Sequence, residues 1–301
     1  MRPSTALVVL LGVVLGATLA QEANRRVITV SAPGGSVSGN LLRGPRTYVH
    51  PEPGGVKATV SNLEIAARRA VVAAPEGVPL SRAEGRRTVV FSEGVTVLRG
   101  EVTATGQLLE YAEATGVGGL TGEAQMAQRP REPGGDEVRV TAETLRFDVD
   151  TDISRSTGTV RLINGPQRGA ADLLYYEEDA RLAVLRGTRA QVRMIRDRPE
   201  GALVILATEA RVLTADEVIW ASGRVRLEDG GSIVVGDQLF YDDASGIAIV
   251  IGTTQPARSR DGGGNELTGG TLRRDTRAKR VEQLATPFRI PTQRFETRER
   301  P

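Results

Sequence analysis

Apolar and polar residues alternate in short runs along most of this chain. In "QLFY" (238–241) and "RVRL" (224–227) every second position is apolar, the period expected of a half-buried strand. A Leu-x-Tyr triplet sends both apolar side chains to one face. The runs are broken by clusters such as "DDASG" (242–246) and "DTDIS" (150–154), whose short polar side chains bond their own backbone and suit turns. Helical periodicity is nearly absent after the first 26 residues. One stretch, "NLEIAARRAVVAA" (62–74), has a helix-like composition, but its place in the repeat described next favours a strand. The pattern predicts about fourteen to eighteen strands.

The runs recur. "VGDQLFYDDASGIAIVIG" (235–252) sets an aromatic, an acidic pair, a small turn, an apolar run and a glycine in order. Related stretches carry Leu109-Glu110-Tyr111, Leu145-Arg146-Phe147 and Leu174-Tyr175-Tyr176. From aromatic to later glycine the interval is eleven residues each time: Tyr111 to Gly122, Phe147 to Gly158, Tyr176 to Gly187, Tyr241 to Gly252. A weaker copy puts Val212 in the aromatic slot, with Gly223 eleven residues on. The slots at 111, 147, 176, 212 and 241 are then spaced 36, 29, 36 and 29, an alternation that implies a two-unit superrepeat. Degenerate copies begin at Leu63 and Leu272. Each unit reads as two strands and a turn, with the glycine at a bend or bulge. The acids after the aromatic (Asp148, Glu177, Glu178, Asp242, Asp243) are expected to be turn chemistry and not catalytic pairs.

Composition sharpens this picture. The 301 residues include 35 glycines and 15 prolines but only 4% aromatics, which suits a turn-rich β chain. The 39 basic and 37 acidic residues are interspersed, a balance that gives no reason to expect a nucleic-acid partner. Residues 271–300 are locally basic, and the segment 286–301 is expected to be a charged, loosely ordered tail. The first 20 residues, "MRPSTALVVLLGVVLGATLA", fit a secretory signal peptide, with an apolar run too short for an ordinary membrane span. The absence of cysteine removes disulfide staples. Residues 24–285 are read as the repeat region, with 128–136 as a candidate boundary between tandem halves.

Chemistry is sparse. The single histidine, His50, lies in "TYVHPEPGG" with no partner pattern for a triad or a metal. No nucleophile elbow, Walker loop or dinucleotide fingerprint is present. The chain therefore reads as a non-enzyme without a cofactor. A long apolar face remains, made of the Leu-x-aromatic and Val-x-Leu pairs, and it must be covered by something. Sequence alone leaves two options: the facing half of a closed sandwich, or an acyl chain.

Units of the form A-x-x-L-x-Y-[DE] followed by G-x-V-x-L resemble the OstA/LptA family. The resemblance lies in "TAETLRFDVDTDISRSTGTVRL" (141–162), "GAADLLYYEEDARLAVLRG" (169–187) and "VGDQLFYDDASGIAIVIG" (235–252), and with weaker units it covers most of 56–280. It implies an all-β fold, a V-shaped antiparallel β-jelly roll, and a noncatalytic periplasmic role in carrying lipopolysaccharide or a related amphiphile. It also implies edge-strand pairing with other transport components and a head-to-tail homo-oligomer. Candidate lipid-groove residues are Leu109, Tyr111, Leu145, Phe147, Val160, Leu162, Leu174, Tyr176, Val225, Leu227, Leu239 and Tyr241. The chain is longer than the family's usual bridge protein and lacks the long barrel of its outer-membrane member. A structural envelope scaffold with a closed core is the alternative. A parallel β-helix enzyme is disfavoured by the 36/29 alternation.

Overall fold

The structure, a computed structural model, describes residues 25–40, 42, 44–130 and 134–299. The leader expected over 1–20 lies outside the described residues. Among the described residues no helix is long and apolar enough to cross a membrane.

The described residues contain 23 strands, more than the pattern predicts, because several runs read as one strand are cut in two. Every pairing with a defined register is antiparallel. The chain is thus an all-antiparallel β-jelly roll built from two-strand units. Its described residues divide into two compact units, those within 25–97 with 108–118 and 148–151, and those within 98–107 with 119–147 and 152–299. The division does not fall at 128–136. It runs across long strands, so that each supplies residues to both units.

The first unit holds β1 (Thr29–Ser31), β2 (Ser36–Gly39), β3 (Arg46–Val49), β4 (Val56–Val60), β5 (Leu63–Ala67) and β6 (Arg69–Ala73). The ambiguous stretch 62–74 is therefore two strands. β4 and β5 bury every second residue, with Val56, Ala58, Val60, Leu63, Ile65 and Ala67 all inside. Four strands span the division: β7 (Thr88–Arg99), β8 (Val102–Ala112), β9 (Val117–Gln128) and β10 (Val138–Asp148).

The second unit adds β11 (Ile153–Asn164), β12 (Gln167–Glu177), β13 (Leu182–Arg186), β14 (Val192–Arg196), β15 (Leu203–Ala207), β16 (Glu209–Leu213), β17 (Val218–Asp229) and β18 (Ser232–Asp242). It is completed by β19 (Ile247–Ile251), β20 (Ala257–Arg260), β21 (Glu266–Gly269), β22 (Thr271–Asp275) and β23 (Arg280–Gln283). The long strands change partners along their length. β12 pairs β14 through 167–170 and β13 through 173–177. β17 pairs β16 through 218–222 and β15 through 226–229. Two ladders result. One runs β10-β11-β12-β13-β16-β17-β18-β19-β22-β23, the other β10-β11-β12-β14-β15-β17-β18-β20-β21.

The glycines of the eleven-residue interval sit where the chain passes from one ladder to the other. Gly158 (φ +98°) and Gly223 (φ +79°) occupy bulges at the register shifts between Thr157 and Val160 and between Ser222 and Val225. Gly223 is pinned there, since its carbonyl accepts Thr208 N–H at 2.9 Å and a Cβ would meet Thr208 Oγ1 at 2.6 Å. Gly187 and Gly252 instead begin loops that break the strand altogether, β13 from β14 and β19 from β20. In both loops one aspartate organises the turn. Asp172 accepts Thr188 N–H and Asp237 accepts Thr253 N–H, each at 2.6 Å. From Gly158 to Gly252 bulged and broken crossings therefore alternate, whereas Gly122 (φ +75°) stays inside the continuous strand Val117–Gln128.

Residues 286–299 are not a loosely ordered tail. They pack on the outer face of the first ladder, along the row Tyr175–Val184–Arg211–Trp220–Phe240. Phe295 is fully buried with Tyr175, Leu182, Val184, Leu213 and Val218. Phe288 lies 5.5 Å from Phe240 between ring centroids. Charge and proline content suggested disorder, but two phenylalanines anchor the segment by burying apolar surface. Arg300 and Pro301 lie outside the described residues.

Candidate functional site

In the second unit the inner face of the first ladder carries two rows. One is Leu145–Ser156–Leu174–Leu185–Ala210–Ala221–Leu239–Val250–Leu272. The other contains Phe147, Tyr176, Val212, Ile219 and Tyr241. The second ladder answers with Val140–Leu162–Gly169–Met194–Ile205–Leu227–Val234. The two faces oppose each other: a gap of about 10 Å³ is lined by Met194, Leu203 and Ile205 from one and Ile219 and Tyr241 from the other.

All ten candidate groove residues of this unit, Leu145, Phe147, Val160, Leu162, Leu174, Tyr176, Val225, Leu227, Leu239 and Tyr241, are inside, none more than 6% exposed. Leu109 and Tyr111 are buried likewise in the first unit. A gap of 10 Å³ admits no acyl chain, so the interior is a packed core in this state. Sequence reasoning missed Met194 and Ile205, because their strands lack the aromatic-glycine signature, and Val234, which precedes the aromatic slot on its strand.

The rim of this interior is ionic. Arg196, the last residue of β14, pairs with Asp243 at 2.6 Å across the two ladders. Tyr241 donates its hydroxyl to the same aspartate at 2.7 Å. Beside them Arg274 of the first ladder donates Nε to Asp229 of the second at 2.9 Å, with both residues almost fully buried, and Arg198 also pairs with Asp229. Elsewhere on the unit Arg99 donates to Asp152 at 3.1 Å and Glu178 at 2.7 Å, and Tyr176 donates to Gln128 Oε1 at 2.9 Å. Burial pushes the Tyr241 hydroxyl up, and the adjacent Asp243 pushes it the same way. Glu217 is also raised, first by burial and then by Asp243.

The acids after the aromatic thus divide into two kinds. Asp148 and Asp242 do serve turns, accepting Asp150 N–H at 2.8 Å and Ser245 N–H at 3.3 Å. Glu178 and Asp243 instead form ion pairs with arginines, and Glu177 holds the C-terminal segment. Thr297 and the Arg298 backbone donate to Glu177 Oε1 at 2.7 and 2.6 Å, and Arg298 Nε donates to Oε2 at 2.9 Å. In the first unit Glu113, two residues after Tyr111, accepts Ile28 N–H at 3.0 Å and pairs with Arg87 at 2.6 Å. The arginine partners are far away in sequence, so alternation alone could not name them. One signal was available: Asp229 and Arg274 continue the inward-facing period of their strands, where a charge demands a buried partner.

A polar recess of about 710 Å³ adjoins this rim, lined among others by Arg129, Asp136, Tyr176, Arg181, Thr214 and Glu217. Glu217 connects it to the ion pairs, since its carbonyl accepts the Asp243 N–H at 3.3 Å. The carboxylate of Asp243 in turn contacts Arg196 and Tyr241, both in the wall of the apolar gap.

No protein-family model matches this chain, and no curated protein does. Among solved structures, one similar chain is LptH, described as the LptA-homologous periplasmic component of the lipopolysaccharide transport device from Pseudomonas aeruginosa. It is 15% identical, with a TM-score of 0.35, over 43% of this chain and 95% of that one. A likeness of that degree carries no argument about function.

Proposed function

We infer that this protein is a noncatalytic amphiphile carrier of the cell envelope, related to the OstA/LptA family. Its acyl-chain site lies between the two ladders of the second unit. The observation that carries the reading is the joint layout of that interior: aligned apolar rows on both inner faces, closed at the rim by ion pairs and flanked by a polar recess. An amphiphile has the matching division. Each buried CH₂ contributes about 0.8 kcal/mol, which favours burying an acyl chain between the rows over exposing it. The ladders must part to admit it, and the rim pairs are the contacts that parting breaks. An exported, envelope-located chain agrees with the leader sequence. The last strand of the first ladder, β23, pairs only with β22 among the defined registers, which leaves an edge for strand addition by a transport partner or a second copy.

A second reading, a structural scaffold with no ligand, is favoured by the complete burial of the candidate groove residues. The two are separated by placing a photo-crosslinking residue at Leu227 or Tyr176 in the full chain and isolating it from an envelope extract. Lipid adducts at both positions are expected. Adducts at neither, with the protein folded and membranes present, would leave the scaffold.

A further inference from the structure

Asp243 contacts the walls of two spaces of opposite character. Its N–H donates to the carbonyl of Glu217, a wall residue of the polar recess with Arg181, and its carboxylate takes Arg196 and Tyr241 from the wall of the apolar gap. Asp243 is the counter-ion of Arg196. Yet the guanidinium is only partly used: Arg196 Nη1 is buried without a hydrogen-bond partner, and so are Arg181 Nε on the recess side and Arg198 Nη1 beside Asp229. Buried guanidinium N–H groups call for acceptors. Arg181 lines the recess and Arg196 the gap, so the wall of each space carries a guanidinium N–H that the protein's own carboxylates leave unsatisfied. Arginine is suited to phosphate because its fork presents parallel donors to two oxygens at once.

We propose that Asp243 is a gate: a phosphate-bearing headgroup seated in the recess replaces it on Arg196, with Arg181 as a second contact, while the acyl chain enters the gap lined by Met194, Leu203, Ile205 and Ile219. This rests on the carrier reading and deepens it, assigning the ligand to the anionic, phosphate-bearing amphiphiles. Exchange of one anion for another keeps Arg196 paired throughout. The ion pair that closes the rim is thereby the one the ligand opens, and a neutral amphiphile has no means of displacing Asp243. The charged and titratable groups facing Asp243 are Arg196, Tyr241 and Glu217, with Arg198 and Asp136 farther out.

The test compares two probes with the same acyl chain, a lysophosphatidic acid and a monoacylglycerol, binding to the full chain below their critical micelle concentrations by equilibrium dialysis. The wild type is expected to hold the phosphate probe at least tenfold more tightly. Asp243→Asn removes the competing anion and is expected to raise phosphate-probe affinity severalfold. Arg196→Gln is expected to abolish the preference by lowering phosphate-probe affinity at least tenfold. Should Arg196→Gln not fold, the double variant Arg196→Gln/Asp243→Asn, which leaves no unpaired charge, is measured in its place with the same expectation. Equal binding of both probes by the wild type, or a preference that survives loss of Arg196, overturns the gate and leaves the carrier reading intact. Binding of neither probe by any folded variant overturns both.

Discussion

Phe295 meets Trp220 edge-on, with ring centroids 5.8 Å apart. The contact ties the C-terminal segment to the outer face of the second unit, and Arg211 reinforces it. Its guanidinium lies 5.1 Å from the Trp220 ring and donates to the Phe295 carbonyl at 2.8 Å.

Phe295→Ala should therefore behave as a core deletion although only six residues of the sequence follow it. A fully buried phenylalanine truncated to alanine costs about 3–5 kcal/mol. Because Trp220 is the chain's only tryptophan, its emission reports this site directly. A red-shifted native spectrum and a lowered urea midpoint are expected. An unchanged spectrum would show that the segment does not cover Trp220 in solution.

The same segment should be acid-sensitive through Glu177. Burial pulls this carboxyl up, but hydrogen bonds from Thr297 and Arg298 outweigh it and hold the group below the usual glutamate range. A folded-state value below the unfolded one means that the contribution is complete above about pH 4.5 and is lost as pH falls through the folded value. Amide exchange in residues 292–299 is expected to accelerate below that pH in the wild type. Glu177→Gln should exchange faster at neutral pH and respond much less to acid.

Local features were legible in the sequence where the physics is local. The eleven-residue interval could be read because the hairpin and the crossing between ladders lie in one contiguous stretch, and a bulge selects glycine within it. The burial of the candidate groove residues could be read because alternation fixes the face. What remained hidden depends on distant partners. Asp243 is indistinguishable from Asp242 as a turn residue until Arg196 is brought alongside, and Glu177 gives no hint of Thr297 and Arg298. The tail was misjudged because charge and proline dominate its composition, whereas the two phenylalanines decide its energy. Met194 and Ile205 stayed unseen because the second ladder draws on the short strands β14 and β15, which carry no repeat signature.

The crossings themselves can be tested with two alanines. Gly223 has φ +79° and a Cβ there would meet Thr208 Cβ at 2.8 Å, a short and β-branched neighbour that cannot swing away. A left-handed backbone costs an ordinary residue about 1–2 kcal/mol, and the clash adds to it. Gly223→Ala is expected to lower the melting temperature clearly. Gly262→Ala, where a Cβ would meet nothing nearer than 3.8 Å and φ is not positive, should stay within about 0.5 kcal/mol of wild type. Equal effects of the two would remove the argument that the eleven-residue glycine is needed for the crossing.

The Asp229–Arg274 pair separates closure of the rim from stability at large. Both residues are at most 3% exposed, and Arg274 reaches Asp229 through Nε at 2.9 Å and Nη2 at 2.8 Å. Removing one partner strands a buried charge. Arg274→Ala is expected to destabilise by about 3–5 kcal/mol, softened where Arg198 still neutralises Asp229. Replacing both, as Asp229→Leu/Arg274→Met, removes the desolvation penalty along with the attraction and should recover most of the loss, since apolar replacements of buried pairs are often neutral or stabilising. Arg198 then retains Glu200 at 3.6 Å as a counter-ion. The double variant fastens this part of the rim by apolar packing, which no anion can displace. In the carrier reading it should be at least as stable to urea as Arg274→Ala and yet take up amphiphile more slowly than wild type, as stopped-flow binding would record. Wild-type uptake in that variant would place the entry route elsewhere on the unit.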